Sequence, residues 1–323
     1  MSPQEKQHRF RIALAFALVY VVWGSTYLAI GIVVEHIPPT MMGAVRFLVA
    51  GPLMLAWCAL SGRSIRISRH TAVRLFAIGV LLLTGGNVMV GWAEKYVPTG
   101  LAALLVAVVP IWVAIIEAWV LRSDRLAVRG IVGLGLGIVG LVVLLWPKIQ
   151  QGNGTHANQM FLLGAGALMI ASLSWALGSV LSRRWQLSVG PMAATAWEMT
   201  FAGIVNTALA FGVGAHRDVI WTGKGVAAMI YLIVAGSWIG FTAYIWLLDH
   251  VPTPKVATYA YVNPVVAVFL GWLILNERVD GWMFAGTLVI VAAVALVTTS
   301  RLKKASTPAA APARLPACET GAD

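Results

Sequence analysis

Two charged residues stand deep inside otherwise apolar runs, and these are the positions where the chain could do chemistry. Arg46 has Gly43 and Ala50 on its helical face, and Glu198 has Ala194 and Ala202 on its own. Small neighbours permit close helix approach, and an ionisable group at that depth belongs against protein or water rather than hydrocarbon. Both are expected to point inward as structural anchors, ahead of substrate binding or proton transfer, with Glu198 the better proton-carrier candidate of the deep carboxylates. Glu117 lies near the end of its run and is read as structural, reaching solvent or pairing with Arg122. Thr84, Asn87, Gly91 and Glu94 follow 3-4-3 spacing and share one helical face. Such a polar seam either lines a wet cavity or bonds to a neighbouring helix. Pro110 and Pro264 sit mid-run, and each deprives the carbonyl four residues earlier, at Val106 or Ala260, of its usual donor. In hydrocarbon that carbonyl must find protein, water or a ligand, so a hinge and a plain kink both fit.

The missing chemistry also narrows the reading. No glycine-rich phosphate loop, no clustered Cys/His set and no Ser/His/Asp group occurs at membrane depth, and the 6 histidines fall in tails, loops or helix ends. The expectation is therefore no enzyme, no catalytic residue, no metal and no cofactor.

What must position Arg46 and Glu198 is a membrane bundle. Hydrophobic residues make up 59% of the chain and charged ones 11%, against roughly 45–50% and about 25% in soluble domains. No soluble fold of 323 residues could cover so much apolar surface with so few charges. The net charge of +11 is not a nucleic-acid signal, because the basic residues sit in short loops without aromatic interleaving. The expected partners are a lipid bilayer and a small-molecule substrate, with no nucleic acid; the oligomeric state is not legible. Cys58 and Cys318 form no disulfide framework.

Apolar runs of about the 20 residues a bilayer requires recur at Arg11–Val34, Thr40–Leu60, Ala72–Ala93, Pro98–Leu121, Val128–Trp146, Gln159–Leu181, Pro191–Val213, Val226–Leu248, Pro254–Leu275 and Gly281–Thr299. Placing the N-terminus in the cytoplasm puts 17 of the 23 Lys and Arg residues inside and 5 outside, with Arg46 within a helix. The positive-inside rule then sets both termini in the cytoplasm of an inner-membrane protein. From opposite starting faces, Arg46 and Glu198 are not expected to pair directly. The expected organisation is an N-terminal tail over 1–10, a first repeat over 11–147, an external linker over 148–158, a second repeat over 159–300 and a disordered tail over 301–323.

The repeat is legible as a shift of 152–154 residues. Trp23 falls on Trp175, Pro39 on Pro191, Gly86 on Gly240, Trp92 on Trp246, Val97-Pro98-Thr99 on Val251-Pro252-Thr253, and Pro110 on Pro264. Arg46 falls on Glu198 in the same register. Five helices per half is an odd number, so the second half would enter the membrane the opposite way round. The expected fold class is all-α and integral to the membrane: ten transmembrane helices as two inverted five-helix repeats.

Val22-Trp23-Gly24-Ser25-Thr26-Tyr27, Pro39 with Arg46-Phe47, Tyr96-Val97-Pro98-Thr99, Pro110, Asn263-Pro264 and Asn276-Glu277-Arg278 carry a resemblance that covers residues 10 to 300. The chain resembles the EamA family of the drug/metabolite transporter superfamily. That resemblance implies a central cavity lined by helices 1, 3, 4, 6, 8 and 9, and export of small metabolites or drugs by alternating access. The candidate substrate-binding residues it implies are Trp23, Ser25, Tyr27, Thr84, Asn87, Trp92, Trp112, Trp175, Ser179, Tyr244, Trp246, Tyr259 and Asn263. Arg46, Glu198, Pro110 and Pro264 are the gating or coupling set. Aromatic walls favour flat, amphipathic or cationic solutes through stacking and cation–π contact. Gly24-Ser25-Thr26-Tyr27 faces Ala176-Leu177-Gly178-Ser179 across the repeat, so asymmetric gates are expected. The rival readings are an importer or exchanger of the same fold, and a membrane scaffold or sensor without transport.

Overall fold

A computed structural model describes residues 3–117, 128–150, 155–185, 187–251, 256 and 259–301. Within those residues the regular structure is helical. In chain order the helices are α1 (Pro3–Val34), α2 (Pro39–Leu60), α3 (Arg69–Ala93), α4 (Thr99–Ile115), α5 (Val128–Gln150), α6 (His156–Arg184), α7 (Pro191–Gly212), α8 (Gly223–His250), α9 (Tyr259–Leu275) and α10 (Gly281–Arg301). Six of them, α1, α2, α3, α5, α6 and α8, are long and apolar enough to cross a membrane. Three more, Thr99–Ile115, Val262–Leu275 and Gly281–Val297, are shorter apolar helices. The expected linker narrows, because α5 runs on to Gln150 and α6 already begins at His156. Likewise α1 starts at Pro3, so most of the expected N-terminal tail is helical. Arg122, residues 151–154 of the linker and the tail beyond Arg301 lie outside the described residues.

Local chemistry sets the helix starts. Proline opens α2 and α7 at their first helical residues, where a missing N–H costs nothing. Ser68, Thr155 and Thr222 instead accept the N–H three residues on, at 3.2, 3.2 and 3.0 Å, and cap α3, α6 and α8. The outward faces then carry bare apolar side chains, among them Leu53, Phe76, Ile138, Ile170, Ile204 and Phe269. A surface of that kind suits hydrocarbon, where every backbone polar group must already be satisfied within the helix.

Packing joins the two halves of the chain. The tightest pairs are α5 with α10, α2 with α7, α3 with α6 and α7, α1 with α8 and α9, and α4 with α6 and α9. Glycine permits the closest of these. A methyl group built on Gly133 would stand 3.0 Å from the Ala293 carbonyl oxygen, and one on Gly140 would stand 2.7 Å from Ile290. Gly133 and Gly140 of α5 thus form a packing face against α10.

Within α3 and α8 one long stretch each departs from α geometry. Val80–Val88 of α3 and Leu232–Ile239 of α8 wind as π-helix, a form that clusters at functional sites. They lie 152 residues apart at their starts, the same shift that relates the halves in sequence. The α4 helix is interrupted at Ala107 and Val108, just before Pro110, whereas α9 runs through Pro264 unbroken.

Candidate functional site

The π-helical stretches, the α4 break and the first turns of α9 converge on one internal cavity with about 140 Å³ of free space. Its aromatic wall is Trp23, Tyr27, Trp175, Phe241 and Tyr259. Trp23 is the hub: its ring meets Phe241, Tyr244 and Tyr259 at centroid distances of 5.1, 5.0 and 5.2 Å. Its indole N–H donates to the Gly236 carbonyl at 3.2 Å. On the other side, Ser174 Oγ donates to the Leu81 carbonyl at 2.7 Å. Each π stretch therefore has a carbonyl satisfied by a side chain from a helix packed beside it, α1 for α8 and α6 for α3.

Arg46 reaches the cavity between those stretches. It is 2% exposed, its Nε donates to Ser237 Oγ at 2.9 Å and its Nη1 to Asn87 Oδ1 at 3.0 Å. Asn87 and Ser237 belong to the two π stretches, one in each half of the chain. Asn263 also lines the cavity; with its amide turned so that nitrogen meets oxygen, Nδ2 donates to the Tyr20 and Tyr259 carbonyls at 3.3 and 3.2 Å. That amide ties α9 to α1 and shapes the wall.

Of the residues expected from sequence to touch substrate, Trp23, Tyr27, Asn87, Trp175, Tyr259 and Asn263 come together here, as do Arg46, Pro110 and Pro264 of the gating set. The others lie elsewhere. The Ser25 hydroxyl is engaged by the Val21 and Val22 carbonyls and by the Tyr231 hydroxyl at 2.6 Å. Trp112 donates to Ser172 at 3.0 Å, and Ser179 to the Trp175 carbonyl at 2.7 Å. Thr84 Oγ1 is buried without a partner. Trp92 is exposed beside Tyr96, Tyr244 backs Trp23 and Tyr259 from behind, and Trp246 stacks on His250 and lines a separate open groove. Glu198 is 7% exposed but is not part of the cavity wall. Glu117 pairs with Arg183 at 2.9 Å; its expected partner Arg122 lies outside the described residues.

Sequence reading missed Thr26, Phe241 and the small residues Gly86, Ala103, Ala107 and Ala171 in the wall. Phe241 follows Gly240, which the repeat had paired with Gly86, and that register was the available signal. It also missed a clamp at one end of the bundle. Glu277 accepts hydrogen bonds from the Thr99 N–H (2.6 Å), the Thr99 hydroxyl (2.9 Å) and the Gly100 N–H (3.0 Å). It thereby caps α4 from another helix's loop, a site where a carboxylate also meets the positive end of the helix dipole. Asn276, at φ 55, makes the left-handed turn that swings Glu277 back. Glu94, close by, has both carboxylate oxygens buried and unpartnered.

Helices with lipid-compatible faces around one aromatic and polar chamber define a multi-pass membrane protein of the transporter class. Residues 10–146 and 162–299 each match the EamA-like transporter family, and the chain belongs to it. It is 38% identical to the uncharacterized inner membrane transporter YedA of Escherichia coli strain K12, over 94% of this chain and 97% of that one. It is 23% identical to the uncharacterized transporter YoaV of Bacillus subtilis strain 168, over 89% and 97%. A protein of known crystal structure superposes with a TM-score of 0.64 at 20% identity, over 91% of this chain and 98% of that one, a likeness of fold alone.

Proposed function

We propose that the chain exports small metabolites or drugs, amino-acid-like or amphipathic aromatic solutes, across the inner membrane by alternating access. In this reading ten transmembrane helices form two inverted repeats and both termini are cytoplasmic. The observation that carries it is the cavity: its wall is built jointly by the two family-matching segments, with Trp23, Asn87 and Pro110 from one and Trp175, Phe241 and Pro264 from the other. Two pseudo-equivalent halves around one site are what a rocking mechanism requires. The 152-residue spacing of the π stretches and the pairing of α1 with α8 beside that of α6 with α3 support the same symmetry.

The Glu277 clamp on α4 supports a gate at the outer end, with α4 and α9 separating there when it opens. The break at Ala107 and Val108 gives α4 a place to bend. The inner-membrane address rests on the likeness to YedA and on the loop charges. Solute counterflow in proteoliposomes tests the reading, with wild type beside Trp23→Ala. Saturable flux that the variant loses while remaining folded is the expected result. Absence of flux across amino acids, amines, carboxylates and dyes, with and without a pH gradient, would turn the reading toward a scaffold or sensor.

A further inference from the structure

We infer that the cavity takes a carboxylate-bearing aromatic solute, whose negative group docks on Arg46; this rests on the transporter reading and names its substrate class. A guanidinium has five N–H donors, and here the protein engages two sites, Nε by Ser237 and Nη1 by Asn87. Both partners are neutral. Among the described residues no carboxylate pairs with Arg46, and no Asp or Glu lines the cavity. A buried, always-charged group is thus held by dipoles and by the face of the Phe47 ring, 5.1 Å from its Cζ to the ring centroid, with no carboxylate against it. Such a charge is strongly disfavoured until an anion meets it.

The geometry matches an anion rather than another filler. Ser237 and Asn87 hold the guanidinium from two directions, and the N–H groups they leave, on Nη1 and Nη2, are donors of the kind that binds carboxylate. Asn87 accepts through Oδ1, which leaves its Nδ2 on the cavity wall as a second donor. One cation amid Trp23, Tyr27, Trp175, Phe241 and Tyr259 suits one negative charge on an apolar, flat body. A polyphosphate would lack counter-charge. A cationic solute, which aromatic walls alone would favour, would meet the repulsion of Arg46.

The test compares three near-isosteric probes, 3-phenylpropanoate, 3-phenylpropanamide and 2-phenylethylammonium, titrated calorimetrically onto the full chain in lipid nanodiscs. The carboxylate is expected to bind saturably and the other two to bind at least ~30-fold more weakly, as losing one partner of a buried charge pair implies. Arg46→Met should weaken the carboxylate by a similar factor, and Arg46→Lys by less. Since Arg46→Met also removes a buried anchor, Asn87→Asp is the decisive companion. It leaves Arg46 in place and supplies an internal counter-ion at the position of an existing 3.0 Å contact, so carboxylate binding should fall while the fold persists. Equal binding of amide or ammonium, unchanged carboxylate binding in Asn87→Asp, displacement by chloride as effective as by the aromatic acid, or no carboxylate binding to folded wild type would each overturn the inference. Proteoliposome flux separates the two readings. Saturable flux of neutral or cationic solutes without anion preference sinks the inference and keeps transport. Binding of the carboxylate that depends on Arg46, with no flux of any solute, supports the inference and sinks transport.

Discussion

Arg46 and Glu198 fall on one another in the sequence register of the two halves, 152 residues apart, and the structure gives them different surroundings. Arg46 is wedged between the π stretches of α3 and α8, hydrogen-bonded to both, and forms part of the cavity wall. Glu198 is buried at the crossing of α7 with α3, where the backbone of Glu198 lies against Gly79, and stays off the wall. The difference teaches that two charged positions in one register can be given different surroundings, one on a cavity wall and one at a helix crossing. Burial and spacing mark both residues as inward-facing; only the neighbours decide which one borders the cavity.

The largest expected effect tests that contrast. Arg46→Met should reduce flux of an aromatic carboxylate by ~30-fold or more, while Glu198→Gln should leave it within about threefold, under 1 kcal/mol on the barrier. Loss of pH-driven flux in Glu198→Gln would break the comparison and restore Glu198 as the proton carrier. Next comes the clamp. Glu277→Gln keeps the shape but removes the charge, and its amide nitrogen cannot accept in place of one of the two oxygens that now receive three hydrogen bonds from the start of α4. A loss of about 1–3 kcal/mol should lower the thermal unfolding temperature by several degrees, and an unchanged transition would show that the α4 start needs no cap. The prolines form a second unequal pair. Pro110→Ala restores a donor to the Val106 carbonyl at a broken helix and should slow flux several-fold. Pro264→Ala, in an unbroken helix, should change it less; equal effects would erase the distinction between α4 and α9. Smallest is Ser237→Ala, expected to cost about 1 kcal/mol of stability and to loosen Arg46 without removing it.

The apolar runs were legible because hydrocarbon demands length and composition, and those demands act on each helix separately. The direction of Arg46 was legible too, from Gly43 and Ala50 on its face. The π stretches were not, because one extra residue in a turn shifts every later side chain around the helix without altering hydropathy. Asn87 and Ser237 face Arg46 through that shift. Trp112 and Trp175 show the same limit: both are large, inward and apolar, yet one donates to Ser172 and the other lines the cavity. A rotation of about 100° per residue, the consequence of 3.6 residues per turn, separates those fates, and helix contacts decide it. Glu277 stood in a quoted motif, but its partner Thr99 lies 178 residues away, beyond any local pattern.

The most direct test of the account is access to the cavity from each side of the membrane. Ala107→Cys places a thiol at the α4 break on the cavity wall, in a chain whose Cys58 and Cys318 are replaced by alanine and serine. In oriented vesicles, a membrane-impermeant maleimide should reach this thiol from either face, and an aromatic carboxylate should protect it from both. Labelling from one face only, whatever solute is present, would contradict alternating access around this cavity.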